Sequence, residues 1–322
     1  MQYLGEILSL TVAVSWTATA LFADTASHRI GALPLNFFRM ALSLVLLGGF
    51  LWVVCGAPWP VHADGRTWFW LLLSGLVGYV FGDYCLFNSY VIFGSRFGQL
   101  FMTLAPPAAG IAGFLMLDES LSWRSWLAMA VTLTGIGMTI LARNRDSHKL
   151  TLRLPLKGVL FGIGAGVGQG LGLVLSKVGL THYESALAAA GGGDALAGGG
   201  DALAASWAMP FAGTFIRAIA GLFGFWLILA LRRELPQLRR ALHDGRGMAC
   251  TGLTTLFGPF LGVSLSLMAV QFAPAGIAST LMALTPVLII PPYALIHRQK
   301  ISFREILAAL IAVSGAALFF LL

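Results

Sequence analysis

Two arginines stand at matched places in long apolar stretches of the sequence. Arg39 lies in "NFFRMAL", and Arg217 lies in "TFIRAIA", in the second half of the chain. A charge at the centre of a membrane costs roughly 2.5–3.5 kcal/mol on insertion scales, so such residues call for a functional hypothesis. A guanidinium facing a cavity would bind a carboxylate or a phosphate. The alternative is that each side chain reaches an interface or bonds free carbonyls.

Three further charged residues lie in or near apolar stretches. Asp83, in "GYVFGDYCLFNSY", could carry a proton for coupling or pair with an arginine. Lys177 ends a glycine-rich stretch, and Asp24 lies near the equivalent place in the first half of the chain. An acid in one half and a lysine in the other would make a shared cavity asymmetric. We therefore predict Asp83 and Asp24 as coupling residues, with an interfacial position for Asp24 and Lys177 as the alternative.

Polar and aromatic side chains complete the set of residues that could bind a substrate. Gln169 could donate a hydrogen bond from the glycine-rich stretch, and Trp16 and Tyr79 could line an aromatic cavity. Aromatic side chains in membrane helices more often pack or face lipid. The predicted substrate-binding residues are Arg39, Arg217, Lys177, Gln169, Trp16 and Tyr79.

The composition determines which elements must position these side chains. Of 322 residues, 58% are hydrophobic and only 10% are charged, whereas a soluble domain averages roughly 25% charged residues. The apolar runs are continuous and lack the alternation of a membrane barrel, so the sequence predicts an all-α integral membrane protein. The three cysteines lack paired spacing, which favours free thiols over a disulfide framework or a metal site.

Ten apolar segments are long enough to cross the hydrocarbon core, which takes about 20 residues of helix. They cover residues 4–23, 33–55, 67–88, 97–117, 124–142, 156–180, 207–231, 247–270, 276–296 and 303–322.

The distribution of basic residues predicts how these segments are oriented. Arginine and lysine concentrate in the connections that follow odd-numbered segments, above all around residues 143–157 and 232–246. We interpret the net charge of +7 as a signal for orientation in the membrane and not for nucleic acid binding. The protein is therefore expected in the cell membrane, inner or plasma, with both termini external.

An internal repeat divides the chain. The sequence distance from Gly78 to Gly258, which we call the repeat offset, also separates Gly82 from Gly262. The sequence predicts two five-helix repeats, residues 1–147 and 148–322, with a flexible insert rich in Gly, Ala and Asp at 182–206; natural insert and engineered linker both stay open. Because five is odd, the repeats would cross the membrane in opposite directions, and such inverted repeats allow one cavity to open to either side in turn.

Prolines occupy matched segments in both repeats. The fourth segment contains Pro106 and Pro107, and the ninth contains Pro286, Pro291 and Pro292. Proline removes a backbone donor and kinks a helix, and in lipid the freed carbonyl needs a partner or a wet cavity. We expect these helix kinks to border a central cavity, with simple packing bends as the alternative.

The sequence resembles a known family at these features. The unit "LAPPAAGIAGFLMLDESLSWRSW", its copy in the second half, and the pairing of Trp16 with Arg39 are similar to the EamA type of the drug/metabolite transporter superfamily. The resemblance implies an exporter of amino acids or similar small polar metabolites, working by alternating access through a central cavity. A flippase for a lipid-linked substrate is the alternative that the resemblance also allows.

Catalysis receives little support from the sequence. "GGGD" occurs at 191–194 and 198–201, which resembles the motif of membrane aspartyl proteases, but both copies lie in low-complexity sequence and no partner Tyr-Asp lies in an apolar helix. We expect no enzyme activity, no cofactor, no metal and no nucleic acid partner. The expected partners are a small metabolite, the lipid bilayer and protons as a coupling ion, in a monomer or homodimer.

Overall fold

The computed structural model of the chain describes residues 3–93, 101–144, 155–189, 201–292 and 303–321, and every regular element in these ranges is a helix. We number the α-helices in chain order: α1 Leu4–Ile30, α2 Ala32–Cys55, α3 Gly65–Gly75, α4 Tyr84–Phe93, α5 Ala105–Leu117, α6 Trp123–Asn144, α7 Leu156–Ala189, α8 Asp201–Leu231, α9 Pro236–Leu242, α10 Gly245–Thr255, α11 Ser264–Phe272, α12 Ala275–Met282, α13 Thr285–Leu288 and α14 Phe303–Leu321.

Within the described residues, six helical stretches are long and apolar enough to cross a membrane. They are Leu4–Ile30, Ala32–Cys55, Gly65–Ile92, Leu156–Ala189, Trp207–Leu231 and Gly245–Phe272. Two shorter apolar helices, Met102–Leu117 and Ile306–Leu318, fall inside two more of the predicted segments. The all-α membrane architecture is thus confirmed, whereas the count of ten spans stays a prediction.

Helices of the two halves interleave. The first helix, α1, packs mainly against α10, α11 and the turns between them, which belong to the second half of the chain. Correspondingly, α7 packs against α3, α4 and the turns between them, in the first half. The first helix of each half therefore packs within the other half, and side chains from both halves form the interior.

The third span of each half is interrupted by a π-helical segment. These segments cover Leu76–Asp83 and Leu256–Val263, which match each other at the repeat offset. Each extends without a break into α-helix on both sides. Wide π turns inside α-helices are uncommon and often occur at functional sites. The matched glycines noted in the sequence lie within these two segments.

Pro106 and Pro286, in the fourth and ninth segments, lie at the beginnings of helices. Pro106 lies in the first turn of α5, directly after a 3₁₀ turn at Met102–Leu104. Pro286 lies in the first turn of α13, and turn residues separate α13 from α12. Proline is well suited to a first turn, where its missing N–H would have no partner anyway. The irregularity in both segments consequently lies just before the proline and not at it.

The expected flexible insert at 182–206 is largely helical where the structure describes it. Residues 182–189 continue α7, and residues 201–206 begin α8. Residues 190–200, with the first "GGGD" and most of the second, lie outside the described residues. The helix continues beyond the apolar segment because alanine, the strongest helix former, dominates residues 186–190.

The crossing of α6 and α14 shows the twofold relation of the halves. A Cβ on Gly135 would stand 2.3 Å from the backbone nitrogen of Ala312, and a Cβ on Gly315 would stand 2.4 Å from that of Thr132. The repeat offset relates Gly135 to Gly315 and Thr132 to Ala312. Small residues at a helix crossing in lipid let the backbones approach closely, which is where dispersion contacts and interhelical polar contacts become effective.

We predict that Gly135→Ala lowers the thermal stability of the protein in detergent, by about 1–3 kcal/mol of unfolding free energy, because the new methyl group meets backbone atoms that cannot rotate away. Gly137→Ala is the matched control. Gly137 lies on the same helix and has open space around it. Since both changes carry the same gain in helix propensity, equal melting temperatures for the two variants would contradict this account of the crossing.

Candidate functional site

Two adjoining internal chambers lie between the halves. The Asp83 chamber has a volume of about 70 Å³, and the Arg217 chamber has a volume of about 40 Å³. They share five lining residues: Trp16, Met102, Gln169, Val263 and Thr285. Together they hold only a few water molecules.

A buried ion pair dominates the Asp83 chamber. Arg39 of α2 and Asp83 of the first π-helical segment are 4% and 5% exposed, and an Nη atom of the arginine donates to Oδ2 of the aspartate. Gln169 of α7 donates to the other oxygen, Oδ1, at 2.6 Å. The guanidinium also lies over the ring of Phe87, 4.8 Å from its centroid. Both oxygens of Asp83 are thus engaged, which is what a buried charge requires.

Arg217 of α8 lines the other chamber without a carboxylate partner. It is 3% exposed, and no Asp or Glu in the described parts of the chain forms an ion pair with it. Among the residues that the structure describes, its Nε has no hydrogen-bond partner, and neither has the buried hydroxyl of Tyr79. Its guanidinium carbon lies 4.8 Å from the centroid of the Tyr79 ring, a stacking contact that stabilises a cation without neutralising it.

The repeat explains why one arginine is paired and the other is not. Arg39 and Arg217 are equivalent, but the position that matches Asp83 at the repeat offset is Val263. Val263 lines both chambers. The second half therefore offers an apolar side chain where the first half offers the counter-ion.

Glycines let the arginine and the helices around it come together. A Cβ on Gly75 would lie 2.6 Å from the backbone oxygen of Arg217, so α8 touches α3 at this point. A Cβ on Gly78 would lie 2.8 Å from an Nη atom of the same arginine. The guanidinium is held between α8 and the first π-helical segment because neither glycine has a side chain there.

Trp16 and Gln169 occupy corresponding places in the interleaved helices. Gly262, in the second π-helical segment, approaches the indole nitrogen of Trp16, and Gly82, in the first, approaches the amide nitrogen of Gln169. Gln169 also donates to the backbone oxygen of Gly78 at 3.2 Å, and Ser15, beside Trp16, donates to that of Phe257 at 2.6 Å. Side chains of α1 and α7 thus satisfy carbonyl groups of both π-helical segments, as a non-aqueous interior requires.

The structure places the other two predicted site residues elsewhere. Lys177 is not among the residues lining either chamber: its Nζ donates to Glu119 Oε1 at 2.5 Å and to the backbone oxygen of Ala273 at 3.0 Å. Asp24 likewise lies outside both linings, with its carboxylate 3.7 Å from the His28 ring. The predicted asymmetry of the cavity exists, but Asp83 and Val263 produce it.

Lys177 and Glu119 belong to a polar junction between the halves. Oε2 of Glu119 accepts a hydrogen bond from the backbone N–H of Ala275 at 2.9 Å, at the start of α12. The junction, defined as Glu119, Lys177, Ala273 and Ala275, joins the end of α5, α7 and the turn between α11 and α12. Glu119 comes directly after an apolar segment of the sequence, yet only 15% of its side chain is exposed.

Several lining residues carried no signal in the sequence. Ser266, Ser279 and Thr285 place hydroxyl groups in the Arg217 chamber. Two of these hydroxyls donate to backbone carbonyls, of Val263 and of Met282. Serine and threonine in membrane helices commonly donate to backbone carbonyls in this way. Their residue types therefore did not mark these positions as part of a site.

The apolar spans define a multi-pass membrane protein, and its two related halves enclose a charged interior. The model of the EamA-like transporter family matches residues 3–141 and 202–321, so the chain belongs to that family. Members of the family are membrane transporters of the drug/metabolite type.

A solved structure shows the same fold. One crystal structure of a protein superposes with a TM-score of 0.68, at 15% sequence identity, and the alignment covers 100% of this chain and 98% of the other. Among curated proteins, none matches the sequence significantly.

We predict that Lys177→Met destabilises the protein by about 1–3 kcal/mol, because it leaves the largely buried Glu119 carboxylate with one hydrogen-bond donor fewer. Lys157→Met is the control, since Lys157 is exposed on the same helix. Thermal unfolding in detergent would measure both. In a double-mutant cycle with Glu119→Gln, the combined change should cost less than the sum of the single changes; strict additivity would show that the two side chains act independently.

Proposed function

We propose that the protein is a secondary transporter that moves a small polar metabolite through the two chambers by alternating access. The observation that carries the proposal is the position of the three buried charges, Arg39, Asp83 and Arg217, inside a shared interior bordered by both π-helical segments. Such a placement is costly in a membrane protein and is typical of substrate and ion pathways.

The irregular helices support a moving interior. π-helical turns, the 3₁₀ turn before α5 and the break between α12 and α13 all leave backbone hydrogen bonds that can be rearranged without unfolding a regular helix. They lie in matched places of two related halves, so one set could loosen on one side of the membrane while the other tightens on the opposite side.

Ion pairs join the halves toward both ends of the interior. The polar junction at Glu119 follows the fourth segment, at an end predicted to be outside, and Arg29 pairs with Asp244 at 2.9 Å in connections predicted to be inside. The hydrogen bond from Arg29 holds the pKa of the Asp244 carboxyl below its usual value. In the proposed cycle, one of these contacts separates at a time.

The substrate is proposed to be an amino acid or a related metabolite, and the direction to be export, as the family resemblance implies. Asp83 is the lining carboxylate through which a proton could be coupled. Its two oxygens accept from Arg39 and Gln169 in this conformation, so protonation has to release one of them.

Counterflow in proteoliposomes tests the proposal. Vesicles loaded with a panel of unlabelled amino acids, oxo acids and nucleosides should accumulate the labelled form of at least one class above protein-free vesicles, with and without a pH gradient. A fluorescent-lipid scrambling assay on the same vesicles covers the flippase alternative. Absence of counterflow for every class, together with lipid scrambling, would overturn the proposal.

A further inference from the structure

We infer that the substrate is a small monoanion, a monocarboxylate with a compact apolar body, and that zwitterionic amino acids are poor substrates. This inference rests on the proposed transport function; of the amino acids and related metabolites named there, it selects the related monocarboxylates in place of the amino acids themselves. It starts from the charges that line the two chambers.

The described lining residues carry one positive charge that nothing in the chambers neutralises. Their charged members are Arg39, Asp83 and Arg217. Arg39 and Asp83 cancel each other through direct contact. A buried charge without a partner is strongly unfavourable, and a bound anion of unit charge would offset that cost.

The buried Arg217 side chain has an unused hydrogen-bond donor beside a chamber. Arg217 belongs to the lining of its chamber, and its Nε has no hydrogen-bond partner among the residues that the structure describes. The guanidinium carbon lies 4.8 Å from the centroid of the Tyr79 ring, and the N–H donors along the edge of a guanidinium match the geometry of a planar carboxylate. Ser279 lines the same chamber, and no bond within the described chain engages its hydroxyl.

An ammonium group finds no matching acceptor. Asp83, which provides the carboxylate among the described lining residues, already accepts from Arg39 at one oxygen and from Gln169 at the other. The α-ammonium of an amino acid would also lie within a few ångströms of its own carboxylate, and hence close to the Arg217 charge. Repulsion and lost hydration would therefore act against the zwitterion.

The remaining walls favour an apolar body and limit its size. Leu173, Met102, Met282 and Val263 line the Arg217 chamber together with small residues. The small volume fits a ligand of few heavy atoms unless the halves separate. A second negative charge on the ligand would meet only Arg39, which Asp83 already neutralises, so the chambers select one charge and not two.

Transport of matched five-carbon compounds tests the inference without any mutation. 2-Oxoisovalerate is a monoanion at neutral pH, valine is its zwitterionic counterpart, and dimethylmalonate is a dianion of similar size. We expect counterflow of 2-oxoisovalerate at least about tenfold faster than that of valine or dimethylmalonate, since burying an unpaired ammonium group or a second, unpaired carboxylate costs at least that factor. Faster flux of valine would overturn the inference while leaving the transport function intact, whereas no flux of any compound would count against both.

Two variants address the roles of the charges. Arg217→Met should abolish 2-oxoisovalerate flux, and Arg217→Lys should retain part of it, because a lysine keeps the charge and loses the bidentate geometry. Gly137→Ala, remote from other atoms, is the control for reconstitution. Unchanged flux in Arg217→Met would overturn the inference.

Asp83→Asn provides the complementary change, because it leaves both arginines uncompensated. The ratio of dimethylmalonate counterflow to 2-oxoisovalerate counterflow should then rise by about tenfold or more. Each variant is compared only if it elutes as a folded species and melts cooperatively. If folded Asp83→Asn preferred the same compound as the unaltered protein, the Arg39–Asp83 ion pair would not determine how many negative charges the substrate carries. That result would overturn the inference.

Discussion

The absence of water in the hydrocarbon core constrains everything else in this structure. Every backbone N–H and C=O there needs a partner inside the protein, so irregular helix can exist only where neighbouring chain encloses it. Both π-helical segments meet this condition, because α7 covers the first and α1 covers the second. Gln169 and Ser15 reach carbonyls that the wide turns leave open. The interior chambers are the space that remains where these irregular segments face each other.

Near-symmetry of the backbone combines with asymmetry of charge. The glycines, the π-helical segments and the crossing of α6 with α14 all recur at the repeat offset, and the two arginines recur at a slightly shorter one. A single difference, aspartate in one copy and valine in the other, gives one arginine a counter-ion and denies it to its equivalent. Two structurally equivalent positions have thereby acquired different electrostatic roles, one closed within the protein and one open to a ligand.

Much of this organisation was accessible from the sequence, and its failures have physical causes. Composition predicted the membrane helices, and the repeated glycines marked the segments that became π-helical, although nothing in the sequence distinguished a π turn from close packing. Arg39, Arg217, Gln169, Trp16, Tyr79 and Asp83 do line the chambers. Lys177 and Asp24 do not, because position along a helix fixes depth only approximately and the facing direction depends on neighbours from the other half. The partner of Lys177 is 58 residues away, and no periodicity reveals such a contact.

The exchange of first helices has a consequence for how the protein is made. Ser15 of α1 finds its partner at Phe257, 242 residues further along the chain. Once α1 is in the bilayer, its inner face therefore stays uncovered until the helices of the second half have followed. During synthesis that face is exposed to lipid or to an assisting protein, and the interior forms only when the late helices arrive. Neither half, made alone, would contain a finished wall.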